Sequence, residues 1–205
     1  MTENPLQTIE KAGRTCYKSE DKITSKSAAS FVHMLIKRGH LAMIEHASMS
    51  YRVICDRGVT HEIVRHRLFS YAQESTRYCN YKGGVTFIIP CWFPDFEEGN
   101  YDRLQVRSTI WQREIGMWLS MLEQDEWVYR QLLEGGWSPQ QARGVLPNAL
   151  KTEIVITGNL REWLHFFTLR TAKAAHPQMQ EIANMLLIDA RSRIEFIFGI
   201  QGDKL

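Results

Sequence analysis

No C-x-x-C pair occurs in this chain; its four cysteines, Cys16, Cys55, Cys79 and Cys91, are scattered. Free thiols in a reducing cytosol are the expected state, and a cytoplasmic location goes with it. Apolar runs are short, and none approaches the ~20 residues of a membrane span. The first residues, MTENPLQTIEKAGRTCYKSEDK, are polar and contain no apolar stretch of the secretory kind, so neither export nor a membrane is expected. Neither G-x-G-x-x-G nor G-x-x-x-x-G-K-[ST] is present; a dinucleotide, if bound, is held by neither the Rossmann nor the P-loop route. An excess of one charge is also missing. Lys and Arg number 25 against 23 Asp and Glu, for a net charge of +2, and a general nucleic-acid coat usually needs a strong basic surplus.

The chain does carry enough apolar residues for a sizeable core. It is 205 residues long, 44% hydrophobic and 23% charged, which predicts one domain over residues 1–205. Ser25 or Ser27 caps a predicted helix running to about Arg38, with Phe31, Val32, Met34 and Leu35 on its apolar side and Gly39 as its stop. His46 to Cys55 alternates, placing Ala47, Met49, Tyr51, Val53 and Cys55 on one face of a strand. Asp56-Arg57-Gly58 breaks it, and a helix from about Val59 is expected to run into Arg67, followed by extended chain to Tyr81. After Lys82-Gly83-Gly84 comes a β-prone run, Val85 to Ile89, ended by Pro90.

A long helix is predicted over about Tyr101 to Leu133, with Ile110, Met117, Trp118, Met121 and Leu122 near one stripe and Gly135-Gly136 as its end. Ser138-Pro139 reads as cap and first helical position of a short helix through Arg143. Leu150, Thr152, Ile154 and Ile156 alternate with polar neighbours in a second strand closed by Gly158-Asn159. A helix to Arg170 and a last helix from Pro177 to about Phe198 complete the pattern. Strands and helices do not alternate regularly, so the expected class is α+β: a small, mostly antiparallel sheet flanked by helices, one of them long.

The richest chemistry lies between Arg65 and Tyr78, where Arg65, Arg67 and Arg77 stand among His66, Ser70, Tyr71, Gln73, Ser75 and Thr76. Guanidinium forks match phosphate oxygens two at a time, so the segment suits a phosphorylated, planar ligand with many acceptors. By itself it does not choose between a nucleotide, a flavin and RNA. His61-Glu62-Ile63-Val64-Arg65-His66 resembles the zinc-protease H-E-x-x-H, but the second histidine is one residue late. On a helix the two would stand about 140° apart, so no metal is expected. Glu62 and His66 would share a helical face, either as a surface ion pair or as two polar groups turned to a ligand. Cys91, between Pro90 and Trp92, has no histidine near it in sequence and reads as a packed or edge cysteine rather than a nucleophile. Downstream, Arg143 lies in Gln140-Gln141-Ala142-Arg143-Gly144-Val145-Leu146-Pro147, Asn159 stands where an asparagine commonly caps a helix, and Arg170 ends that helix.

These motifs together resemble the flavin-dependent thymidylate synthases. Arg65-His66-Arg67, then seven residues, then Ser75, is similar to that family's signature. Glu45-His46, the run from Cys55 to Glu62, Gln141 to Pro147, Asn159-Leu160-Arg161 and Leu169-Arg170 follow in the same order. The resemblance implies conversion of dUMP to dTMP, with methylenetetrahydrofolate as carbon donor, FAD as hydride carrier and NADPH as its reductant. It implies homotetramers whose active sites draw on more than one subunit. It further implies FAD contacts at Ser48, Arg65, His66, Arg67, Gln73, Asn159, Leu160, Arg161 and His165. Around dUMP it implies Glu62, Ile63, Val64, Arg65, Gln73, Glu74, Ser75, Thr76, Arg77, Arg143 and Arg170, with Arg170 activating the pyrimidine.

Those roles make physical sense. Carbon 5 of uracil becomes a nucleophile only as negative charge develops over N3 and its carbonyls, and a fixed guanidinium stabilises that charge where it forms. No cysteine nucleophile is then required. The chain departs from the family at Glu62, where many members have glutamine, and at His165; Ala72 and Glu74 fall at variable positions. A carboxylate at position 62 repels a phosphate unless it is paired or protonated. The contrasting reading is a nucleotide- or RNA-binding module without turnover, which near-zero net charge and the downstream motifs disfavour; a degenerate structural subunit is disfavoured because every matched arginine is present.

Overall fold

The computed structural model describes residues 1–93, 96–109 and 112–199. In chain order the regular elements are α1 (Pro5–Thr15), α2 (Ser27–Lys37), β1 (Ser48–Asp56), α3 (Arg57–Ile63), β2 (Ser70–Gln73), α4 (Arg103–Thr109), α5 (Arg113–Glu134), α6 (Pro139–Ala142), β3 (Lys151–Asn159), α7 (Leu160–Arg170), α8 (Pro177–Arg193) and α9 (Glu195–Phe198). The strands form one small antiparallel sheet in the order β1-β3-β2, so the class is the expected mixture of helices and a small sheet. Chain contacts divide the molecule into two compact units. One comprises Met1–Arg52, Val64–Ala72 and the chain from Val155; the other comprises Val53–Ile63 and Gln73–Ile154.

In the first unit, α1 opens with Pro5, whose missing amide proton costs nothing at a helix start. Few apolar residues mark this helix in the sequence, and it is held by a buried carboxylate. Glu10, 1% exposed, takes both Nε and Nη2 of Arg14 on one oxygen at 3.0 and 2.9 Å, and Ser27 Oγ on the other at 3.0 Å. Helix α2 ends where Gly39 takes a φ of 72°. Its amide donates to Ile36 O and that of His40 to Leu35 O, both at 2.9 Å, the paired bonds of a Schellman cap. The core here is aromatic. Trp163, Phe166, Phe167 and Phe198 are fully buried, and Trp163 Nε1 donates to Met49 O at 3.0 Å. Burying a large ring is affordable when its one polar atom finds a carbonyl.

In the second unit, Asp56 Oδ1 accepts the Val59 amide at 2.7 Å, so α3 begins two residues earlier than the expected Val59 start. Helices α4 and α5 replace the expected single helix from Tyr101 to Leu133, because Gln112 is extended (φ −88°, ψ 132°). Ser108 and Thr109 both turn their hydroxyls back to Gln105 O, at 2.9 and 2.8 Å; such bonds compete with the helical ladder. Ile110, placed in the predicted stripe, lies outside the described residues. The buried face of α5 is Ile115, Leu119, Leu122, Glu126 and Tyr129, while Met117 and Met121 are exposed and Trp118 is half-buried against Ile115 and its neighbours. Helix α6 starts with the anticipated Ser138 cap, reciprocated by Gln141.

Both strands read from alternation bury the expected faces except at Tyr51, which is half-buried: Ala47 just before β1, Met49, Val53 and Cys55 along it, and Thr152, Ile154 and Ile156 along β3. The run Val85 to Ile89 makes only a bridge, Phe87 to Leu150. The last helix divides at Ile194 (φ −142°, ψ 67°) into α8 and α9. None of the described helices is long and apolar enough to cross a membrane.

Candidate active site

The arginine-rich segment leaves the helix earlier than its sequence suggests. Helix α3 stops at Ile63, and Arg65, His66 and Arg67 lie in a turn. The Tyr71 hydroxyl donates to His66 O at 2.7 Å, and the Phe69 amide donates to the same oxygen at 3.3 Å. These two bonds close the turn that follows the helix. Glu62 and His66 consequently do not share a helical face, and the angular argument about His61 and His66 has no helix to act on.

Within the first unit the turn delivers His66 to the end of α7, with its side chain buried at 5% exposure. Arg170 Nε lies 2.9 Å from His66 Nε2, although 104 residues separate the two in sequence. On the other side of the ring, Nδ1 lies 3.5 Å from Glu162 Oε1. Phe69 and Phe166 flank the imidazole, with ring centroids 6.1 and 5.0 Å away. Burial, then the positive charge of Arg170, then His165 lower the His66 pKa from 6.5 to about 4. The carboxylate at Nδ1 favours protonation, but the three opposing effects win: the ring is buried, and the nitrogen that would gain the proton is already accepting from a permanent cation. Glu162 is itself pushed up by burial, offset by His165. The Tyr71 hydroxyl is also raised, first by burial and then by Glu162.

Helix α7 begins as its sequence suggests: Asn159 Oδ1 accepts the Glu162 amide at 2.8 Å. Arg161 and His165 are exposed on this helix, and Arg161 Nη1 pairs with Glu45 Oε1 at 2.6 Å. Arg65 and Arg67 are exposed in the same unit. This donor set of guanidiniums and an imidazole suits an anionic dinucleotide such as FAD. Other expected cofactor residues are turned inward: Leu160 is fully buried with its amide on Ala47 O at 2.9 Å, and the half-buried Ser48 shares its hydroxyl with Thr2 at 3.3 Å. Among the described residues, His66, Glu162 and His165 place metal-ligand atoms within 4.8 Å of one another. The Arg170 contact already occupies His66 Nε2, and its charge opposes a cation there.

In the second unit, the chain after β2 makes a turn in place of the expected extended run: the amides of Tyr78 and Cys79 donate to Ser75 O at 3.1 and 2.9 Å. Ser75 Oγ accepts the Arg77 amide at 3.3 Å, and Arg143 Nη1 donates to the buried Thr76 Oγ1 at 3.3 Å. The structure thus brings Arg143 to the Ser75–Arg77 turn across 67 residues. Arg77 and Arg143 are exposed; two cations with a hydroxyl turn suit an anion. Gln73 Nε2 donates to Thr60 Oγ1 at 3.0 Å and approaches Thr152 Oγ1 at 3.4 Å. Glu74 is committed to the protein: Oε1 accepts the Tyr81 hydroxyl at 2.6 Å, and Oε2 lies 3.6 Å from Lys151 Nζ. Ile63 is fully buried and Glu62 half-buried; Val64, of the first unit, is exposed.

A family model described as thymidylate synthase complementing protein matches residues 1–193. The chain belongs to that family. Its curated relatives include the flavin-dependent thymidylate synthase of Mycobacterium leprae strain Br4923, 35% identical over 191 residues that cover 87% of this chain and 73% of the relative. The enzyme of the same name from Geobacter sulfurreducens is 30% identical over 91% of this chain and 77% of its own length. That of Corynebacterium efficiens is 34% identical over 93% and 77%. Within the family frame, the residue that reading along the chain passed over is Glu162. Its spacing from Asn159 is that of a capping box, which disguised a carboxylate facing His66.

Proposed function

We propose that this chain is a flavin-dependent thymidylate synthase, forming dTMP from dUMP with methylenetetrahydrofolate as carbon donor and FAD and NADPH for the hydride. The observation that carries the reading is the family match over residues 1–193 in a chain that keeps Arg65, Arg67, Arg77, Arg143 and Arg170. It acts as a single functional domain, as a cytoplasmic homotetramer, and without nucleic acid.

In the second unit, Ser75, Thr76, Arg77 and Arg143 hold the 5′-phosphate; the Arg143–Thr76 contact supports this by preorganising one cation at the turn. Glu74 gives its backbone and not its carboxylate, since that group is neutralised by Lys151. In the first unit, Arg170 faces the uracil edge and stabilises the charge that develops over N3, and its bond to His66 fixes its direction. The assembled site draws on more than one subunit. Arg65, Arg67, Arg161 and His165 hold FAD, Asn159 contributes from the start of α7, and Leu160 contributes through its backbone. Bound FAD supplies the hydride chemistry. The reaction uses no cysteine nucleophile; the buried Cys55 is kept from its thiolate form, its thiol pushed up to about 12 by burial and by Asp56.

The test is an anaerobic assay of labelled dUMP with the folate, FAD and NADPH, scored for dTMP. Turnover by the wild type and none by a folded Arg170→Ala variant is the expected result. Protein that takes up no FAD at excess cofactor refutes the function, and full turnover by Arg170→Ala refutes that residue's role. Light scattering of the purified protein reports on the tetramer.

A further inference from the structure

Glu162 belongs to none of the groups assigned above to substrate or cofactor, yet its carboxylate is buried at 6% exposure and faces His66 Nδ1. Burying a carboxylate is costly unless a partner compensates. The partner here is a ring whose other nitrogen is already committed. Arg170 Nε–H can only donate, so His66 Nε2, 2.9 Å away, keeps its lone pair. The neutral ring therefore carries its proton on Nδ1, the nitrogen turned to Glu162. An anion at Nδ1 and a cation at Nε2 polarise the imidazole in the same sense, which strengthens Nε2 as an acceptor. At 3.5 Å the Glu162 approach is electrostatic; a small ring rotation makes it a hydrogen bond. Among the described residues, His165 on α7 and Tyr71 on β2 also lie by the ring, the latter holding the His66 carbonyl.

We infer that Glu162 is a positioning residue for the proposed reaction: its carboxylate holds His66 as the Nδ1–H tautomer, and His66 in turn holds the Arg170 guanidinium. The inference rests on the proposed role of Arg170. Without Glu162, the buried Nδ1–H loses its facing acceptor. The tautomer then rests on Arg170 alone, and wherever the proton moves to Nε2 that nitrogen can no longer accept from Arg170.

Two measurements test it. In the first, nitrogen-15 NMR of the histidine rings is recorded on the full chain without ligands, with the His66 signals assigned by their loss in His66→Gln. The wild type is expected to show the Nδ1–H tautomer alone, and Glu162→Ala a mixture of the two. In the second, Glu162→Ala should lose about tenfold or more in kcat, with a smaller change in KM for dUMP. Glu162→Gln, which keeps an acceptor oxygen but not the charge, should fall between Glu162→Ala and the wild type. Should Glu162→Ala fail to fold, Glu162→Gln decides: a lowered kcat supports the inference, and a wild-type kcat overturns it. A wild-type ring protonated on Nε2, or a tautomer unchanged in Glu162→Ala, also overturns it. Full turnover by Arg170→Ala would instead sink the earlier reading, and the ring measurement would still decide whether Glu162 holds His66.

Discussion

Acidification should expose the cost of keeping His66 neutral. In the folded protein its pKa lies at about 4, against an ordinary value of 6.5. Between those values the unfolded chain binds a proton that the folded protein refuses, so stability rises with pH across this window. The contribution is fully present above about 6.5 and is lost as pH falls towards 4. The whole gap corresponds to about 3 kcal/mol, and about 2 kcal/mol of it is lost between about pH 7.5 and pH 5. That is a large share of a typical total stability of about 5–15 kcal/mol. Glu162 works with the opposite sign, since burial raises its pKa and protonation relieves that burial. Urea unfolding of wild type and His66→Gln, at both pH values and one protein concentration, isolates the histidine. The wild type should lose about 2 kcal/mol more than the variant on acidification. A ring that titrates near 6.5 in the folded protein, or equal losses in the two proteins, would refute the reasoning.

Three further outcomes follow from particular contacts. A Cβ on Gly158 would overlap the Phe69 ring, which is itself packed against Trp163 at 4.6 Å. Gly158→Ala should therefore cost about 1–3 kcal/mol or more in thermal unfolding, and a variant as stable as wild type would mean that Phe69 has room to move. Glu10→Ala leaves the Arg14 guanidinium and the Ser27 hydroxyl without their shared acceptor and should lower stability by about 3 kcal/mol, measured by denaturant titration. Cys91 is exposed; Cys91→Ser should keep the wild-type kcat, and loss of dTMP formation would restore a cysteine mechanism.

Much of the scaffold was legible along the chain because burial there follows local periodicity. The alternation in β1 and β3, the Gly39 stop, the Ser138 cap and the Asn159 cap each depend on residues a few positions apart. Where long-range packing competed with local preference, the reading failed. Helix α3 ends at Ile63, and the turn after it is held by Tyr71 bonding the His66 carbonyl, a contact that no helical propensity encodes. Residues 101–133 look helical throughout, yet the chain is extended at Gln112. Helix α1 is anchored by a buried glutamate that polarity alone assigns to the surface.

The candidate site divides along the same line. The order and types of Arg65, Arg67, Arg77, Arg143 and Arg170 are a property of the sequence, and they sufficed to indicate the family and its chemistry of anionic ligands. Which arginine meets which partner is decided only in three dimensions. Arg170 reaches His66 across 104 residues, Arg143 reaches Thr76 across 67, and Glu162 faces the opposite side of the imidazole. Residue types set what charge a site can offer. A guanidinium's direction, and the tautomer of a ring beside it, depend on neighbours that only the folded chain brings within about 3 Å.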